Sequence, residues 1–143
     1  MSPDEVARAC ADIMWADDRA TRRLGMTLLS VGPGRAEMSM PVTDDMVNGH
    51  GLCHGGFIFT LADSAFAFAC NSYNVRCVAQ HNSITYVRPG RLHETLTATA
   101  GERSRSGRSG IYDVRVTGSD GSVVAEFRGH SRTIGGCFLA ENP

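Results

Sequence analysis

His54-Gly55-Gly56-Phe57-Ile58-Phe59-Thr60-Leu61-Ala62-Asp63-Ser64-Ala65-Phe66-Ala67-Phe68-Ala69-Cys70-Asn71 decides the fold of this 143-residue chain. The run is too long for a strand and rich in alanine. It is apolar on every face, and a helix of that kind is buried. Ala62, Ala65 and Ala69 share one face and allow close approach to a sheet. Asp63 breaks the pattern: aspartate is a poor helix former, and a buried carboxylate needs a partner. A water-filled seam or a nearby hydroxyl would satisfy it without any function.

The start of the helix favours a functional reading. No Ser, Thr, Asp or Asn stands immediately before Gly55-Gly56 to cap the free N–H groups. Those groups and the helix dipole are then open to an oxyanion. An open helix start and a buried carboxylate on one short helix are the two halves of an acyl-transfer site. Gly55 and Asp63 are nevertheless about 12 Å apart along the axis at 1.5 Å per residue. One helix cannot offer both to one carbonyl. If both act, Asp63 comes from a second copy running antiparallel, and the monomer should be inactive.

Outward from this helix, residues 3–22 read as a helix opened by Ser2-Pro3-Asp4-Glu5. Strands are expected at 24–31 and 35–42, then a polar loop over 43–54. Further strands are expected at 78–88, 92–102, 110–117 and 123–134. Turns fall at Gly32-Pro33-Gly34, Pro89-Gly90, Gly107 and Asp120-Gly121. Two strands, one buried helix and a meander of strands make an α+β fold: one helix on one antiparallel sheet.

The size suits one domain spanning 1–143. Net charge is -1, so bulk electrostatics gives no reason to expect nucleic acid or an anionic membrane as partner. All 14 basic residues are Arg, which excludes lysine chemistry. The start shows no signal-peptide pattern, and no apolar run reaches the length of a membrane span. The five cysteines are scattered without CxxC spacing. They suggest neither a disulfide framework nor a zinc ribbon, and a reducing cytoplasm fits.

Asn48-Gly49-His50, Cys53-His54-Gly55-Gly56, Leu61-Ala62-Asp63-Ser64-Ala65-Phe66-Ala67 and Cys70-Asn71-Ser72 resemble the phenylacetate-degradation (PaaI-type) thioesterases of the hotdog superfamily. Arg88-Pro89-Gly90, Thr95–Ala100, Phe127-Arg128-Gly129 and Ile134-Gly135-Gly136 extend the likeness over nearly the whole chain. The resemblance implies a hotdog fold of about five to six strands curved around a central helix, paired into dimers and usually a homotetramer. It implies hydrolysis of acyl-CoA, with an aryl-acetyl or hydroxylated phenylacetyl group and no cofactor beyond the coenzyme A of the substrate. Asp63 would act as general base or as nucleophile, and the Gly55 N–H would polarise the carbonyl. Asn48 and His54 would shape the site, with Gly56 and Ser64 beside them. Relatives often carry Asn-Asp where this chain has Asp17-Asp18, which bears on acyl choice.

Arg103-Ser104-Arg105-Ser106-Gly107-Arg108 is either a solvated hairpin tip or a cradle for CoA phosphates. Arg88 beside Pro89 and Gly90 is a second phosphate candidate. Cys53 beside His54 is a poor thiol nucleophile, since neighbours on an extended loop point apart and most cysteines only pack. His50 and His54 lack an evident third ligand, so no metal is expected. Two rivals remain. A hotdog hydratase or dehydratase usually needs a His–acid pair, and a non-catalytic acyl-CoA binder has no reason to bury Asp63.

Overall fold

A computed structural model describes residues 1–140. Helix α1 (Pro3–Asp17) opens with a capping box between Ser2 and Glu5. It stops where Asp18 turns out of the helix, and Asp18 Oδ1 then caps the short α2 (Arg19–Arg23) through the Thr21 N–H. The single helix expected over 3–22 is thus two. Strands follow as β1 (Thr27–Gly32) and β2 (Arg35–Pro41). The long helix α3 (Gly55–Cys70) comes next, then β3 (Cys77–Tyr86), β4 (Thr95–Ser106), β5 (Ser109–Thr117) and β6 (Val123–Thr133). Leu24 belongs to the end of α2, so β1 begins later than the alternation predicts. Strand β4 starts and ends later than expected, because residues 87–94 loop back and Ser104 to Ser106 stay in the ladder, Arg105 opposite Gly110.

The strands form one antiparallel six-stranded sheet in the order β1-β2-β4-β5-β6-β3. Helix α3 lies across it, and the core is Leu61, Ala62, Ala65, Phe66 and Ala69 against Met38, Leu96, Val114, Val116 and Phe127. Gly129 lets the helix approach: a Cβ there would stand 2.8 Å from the Phe66 ring.

Two features position the site. The α3 face bearing Gly56, Phe59, Thr60, Asp63 and Ala67 is only partly covered. Strand β3 is an edge, with Val78 and Tyr86 each nearly half exposed. Among the described residues no helix is long and apolar enough to cross a membrane.

Candidate active site

The loop before α3 is built by Asn48. Its Oδ1 accepts from the His50 N–H at 2.9 Å and the Leu52 N–H at 3.2 Å, which bends residues 48–52 into a tight turn. Cys53 N–H then donates to Gly90 O at 2.8 Å and His54 N–H to Met46 O at 2.7 Å. These bonds fix the entry into α3.

The helix start corrects one sequence expectation. His54 is itself the cap: its Nδ1 accepts from the Gly56 N–H at 3.1 Å. This geometry places the ring proton on Nε2. Gly56 is therefore not a free donor for substrate, and neither His54 nor Gly56 lines a described cavity beside Gly55. The Gly55 N–H is different: it has no acceptor among the described residues. Gly55 lines a cleft of about 460 Å3 with Asn48, Leu52, Tyr86, Arg88 and Pro89. Tyr86, which the sequence did not flag, covers the glycine: its hydroxyl donates to Gly55 O at 2.9 Å. A Cβ on Gly55 would meet the Tyr86 ring at 2.9 Å.

Asp63 opens into a different cavity, of about 370 Å3, walled by Met14, Phe66, Ala67, Val78, Ile134 and Phe138. Burial pushes its carboxyl above the usual aspartate range, and one hydrogen bond from Asn82 Nδ2 at 3.1 Å works the other way. Asn82 is the second residue that sequence reasoning missed. Its Oδ1 is buried without a partner among the described residues, so the amide has one acceptor left for a guest such as water. Replacing Asn82 by Ala is expected to move the acid limb of the rate profile to higher pH, because the bond that steadies the ionised carboxylate is lost. Turnover should fall about 10-fold or more. An unshifted limb would exclude a role for Asn82 in tuning the carboxylate.

Other expected site residues are placed elsewhere. Ser64 is buried and shares a hydrogen bond of 2.9 Å with Thr21 Oγ1, which in turn donates to Asp18 Oδ2. It ties α3 to α2 and lines neither the Gly55 cleft nor the Asp63 cavity. Arg88 spends all five N–H donors internally: on Ser122 Oγ, Pro89 O, both Glu94 oxygens and Asp120. That leaves no N–H over for a phosphate. Gly90 packs at close range on Cys53, where a Cβ would sit 3.0 Å from the Cys53 Cβ.

The hairpin does not gather into one phosphate cradle. Arg103 is the extra residue of a bulge, pairs with Asp113 at 3.3 Å and lines an outer cleft. Ser106 lines another cleft with His81 and His130. Arg105 and Gly107 share a third, of about 310 Å3, with Arg108 and Tyr73, and the Arg105 guanidinium lies 3.5 Å from the Tyr73 ring centre. Asp17 ends α1 without lining the Asp63 cavity; Met14 from the same helix does. Burial pushes the Cys53 thiol up to about 11, helped by Glu94, which removes it as a nucleophile at neutral pH.

A long helix cradled by an antiparallel sheet, with an open amide at its start and a carboxylate about two turns on, is a hotdog fold equipped for acyl chemistry. The Thioesterase superfamily matches residues 50–125, and the chain belongs to this family, as a PaaI-type hotdog enzyme that hydrolyses thiolesters. It is 43% identical over 131 residues to acyl-coenzyme A thioesterase PaaI of Escherichia coli K12, covering 92% of this chain and 94% of the relative. The structure of E. coli PaaI, from the phenylacetic acid degradation operon, matches with a TM-score of 0.94 at 42% identity, over 95% of this chain and 99% of that one. The structure of smu.793 from Streptococcus mutans UA159 bound to acetyl CoA matches with a TM-score of 0.76 at 26% identity, over 79% and 91% of the two chains.

Proposed function

We propose that this enzyme hydrolyses acyl-CoA at a site shared by two copies of the chain. The Gly55 N–H of one protomer polarises the thioester carbonyl, and Asp63 of its partner activates the attacking water. The observation that carries this reading is the separation of the two half-sites: Gly55 and Asp63 open into different cavities. Two further features support a second copy. An apolar helix with a partly bare face needs cover, and an unprotected edge strand such as β3 invites pairing. Such a pair can associate again into a tetramer. Asp63 is bonded to an amide and not to an imidazole, which suits water activation better than hydratase chemistry.

The cavity beside Asp63 takes the acyl group. Its apolar walls favour a compact, hydrophobic acyl such as an aryl-acetyl. Asn48 lines the cleft beside Gly55, and its amide nitrogen, without an acceptor among the described residues, orients the thioester. Among the hairpin arginines, Arg108 and Arg105, whose ion pair with Glu102 is long at 3.9 Å, share one cleft and are the ones to meet the CoA phosphates. The names of the E. coli and S. mutans relatives are consistent with an acyl-CoA substrate.

Mixing variants tests the shared site. Gly55→Pro deletes the N–H at the first helical position, after an already extended His54; it is made in a Tyr86→Ala background, itself the active control, because a Cβ at Gly55 would meet the Tyr86 ring at 2.9 Å. Asp63→Asn deletes the base. Each alone should be inactive toward a panel of acyl-CoAs. Equal mixtures after subunit exchange should regain about a quarter of wild-type turnover, because half the dimers hold one intact site. Mixtures that stay inactive despite confirmed exchange would refute the two-copy site.

A further inference from the structure

The chain after β6 is built as a strap over the segment that joins α3 to β3. Gly135 and Gly136 have φ of +85° and +86°, a backbone that residues with a Cβ rarely adopt, and they turn the chain back. Arg76 meets the turn. Its carbonyl accepts from the Ile134 N–H at 2.9 Å, its N–H donates to Gly136 O at 3.2 Å, and its Nε donates to Cys137 O at 3.1 Å. Asn74 fixes the end. It is buried, and its Oδ1 accepts from the Phe138 N–H at 2.9 Å and the Leu139 N–H at 2.8 Å. Two bonds to one oxygen set where Phe138 leaves the backbone. The Arg76 guanidinium carbon then lies 4.3 Å from the Phe138 ring centre, a cation–π contact that holds the ring.

The strap stands at one end of the Asp63 cavity. That cavity follows α3 from Asp63 past Phe66 and Ala67 to Cys70, about 10 Å of helix. Strand β3 marks the same two ends: Asn82 holds the Asp63 carboxylate, and Cys77 begins the strand beside Arg76. Phe138, stacked on Arg76, lines the end away from the carboxylate, with Ile134 from the same strap.

We propose that Phe138 is the end wall of the acyl pocket and sets the largest acyl group the enzyme accepts, with Asn74 and Arg76 as positioning residues. The proposal rests on reading the Asp63 cavity as the acyl pocket. A thioester carbonyl beside Asp63 sends its acyl group along α3 toward the strap. An aryl-acetyl group fits within that length and rests its ring near Phe138. A dodecanoyl chain is longer than the wall and is stopped by the ring.

The test measures kcat/KM for phenylacetyl-CoA and dodecanoyl-CoA with wild type, Phe138→Ala, Phe138→Trp and Asn74→Gly. Phe138→Ala should raise the dodecanoyl value about 10-fold and lower the phenylacetyl value about 10-fold, the scale on which hydrophobic pockets discriminate. The change should fall on KM, because the ring meets the acyl group and not the reacting atoms. Asn74→Gly keeps the left-handed backbone of that position, φ +60°, but releases the strap, and should move the ratio the same way. Phe138→Trp should move it the other way. An unchanged ratio in Phe138→Ala would overturn the proposal, and so would equal losses on both substrates in the Ala and Trp variants, since the ring would then only support the fold. Wild-type selectivity in Asn74→Gly would overturn the positioning role of Asn74. Calorimetric binding of the unhydrolysable thioethers S-dodecyl-CoA and S-phenethyl-CoA separates this from the proposed function. A wild-type protein that hydrolyses no acyl-CoA would defeat that function, while the ratio of the two dissociation constants in wild type and Phe138→Ala still decides the end wall. Binding of neither thioether would defeat both.

Discussion

Asp63→Asn is expected to lower turnover by about 10³-fold, the middle of the range for losing a general base, while raising the melting temperature. The first effect follows from the proposed role of the carboxylate, because an amide cannot take a proton from water. The second follows from its environment. Burial raises the folded-state pKa of Asp63 above its ordinary value, so ionisation costs folding free energy. The sign is that of a carboxyl with an elevated pKa: its contribution is intact below the unfolded pKa and is lost as pH rises through the folded one. At neutral pH the amide removes that cost and still accepts the Asn82 hydrogen bond through its oxygen. A gain of about 1 kcal/mol would raise the melting point by roughly 4 °C, and the gain should shrink in acid as the wild-type carboxyl is protonated. Kinetics with a panel of acyl-CoAs and melts at two pH values check both halves. A variant that retains a tenth of its turnover, or that melts lower at neutral pH, contradicts this account of Asp63.

The contrast between what the sequence revealed and what it hid has physical reasons. Helix α3 was legible because its composition leaves no other structure, and Asp63 because a charge in that setting stands out. The separation of Gly55 from Asp63, which line different cavities, followed from helix rise alone. The cap was not legible, since histidine caps only when its ring turns back onto Gly56, a rotamer that no spacing encodes. Asn82 was hidden by a bulge in β3, where Gln80 is the extra residue. Beyond it the alternation changes phase, so counting from Cys77 puts Asn82 on the wrong face. The same effect in β4 separates Arg103 from Arg105, which is why a run of arginines that looked like one cradle lines different clefts. Arg88 looked free because its partners Asp120 and Ser122 lie far along the chain.

Arg88 carries the second large effect. Glu94→Gln is expected to destabilise the fold by about 3 kcal/mol, the lower end for breaking a buried pair. Side chains of Arg88 and Glu94 are only 15% and 10% exposed. Glu94 also accepts the Arg91 N–H at 2.7 Å and the Ser119 N–H at 3.1 Å. These bonds hold residues 87–94, whose Gly90 carbonyl in turn holds Cys53 at the approach to Gly55. The Arg88 hydrogen bonds, with those from Arg91 and Ser119, lower the Glu94 carboxyl from 4.5 to about 2. A depressed carboxylate pKa stabilises the fold above the unfolded value, and that stability is lost as pH falls towards the folded one. Wild-type protein should therefore lose this contribution between about pH 4.5 and 2, and Glu94→Gln should lack that part of the acid transition. At neutral pH the variant should melt about 10 °C lower. The double variant Arg88→Met with Glu94→Gln should recover part of the loss. It removes the guanidinium left without its carboxylate partner, while the glutamine oxygen keeps one of the two backbone N–H groups, which reach different oxygens of Glu94. Denaturant melts of the four proteins give the coupling energy directly. A coupling indistinguishable from zero would mean that the pair does not hold the loop, and that the approach to Gly55 is fixed by its backbone hydrogen bonds alone.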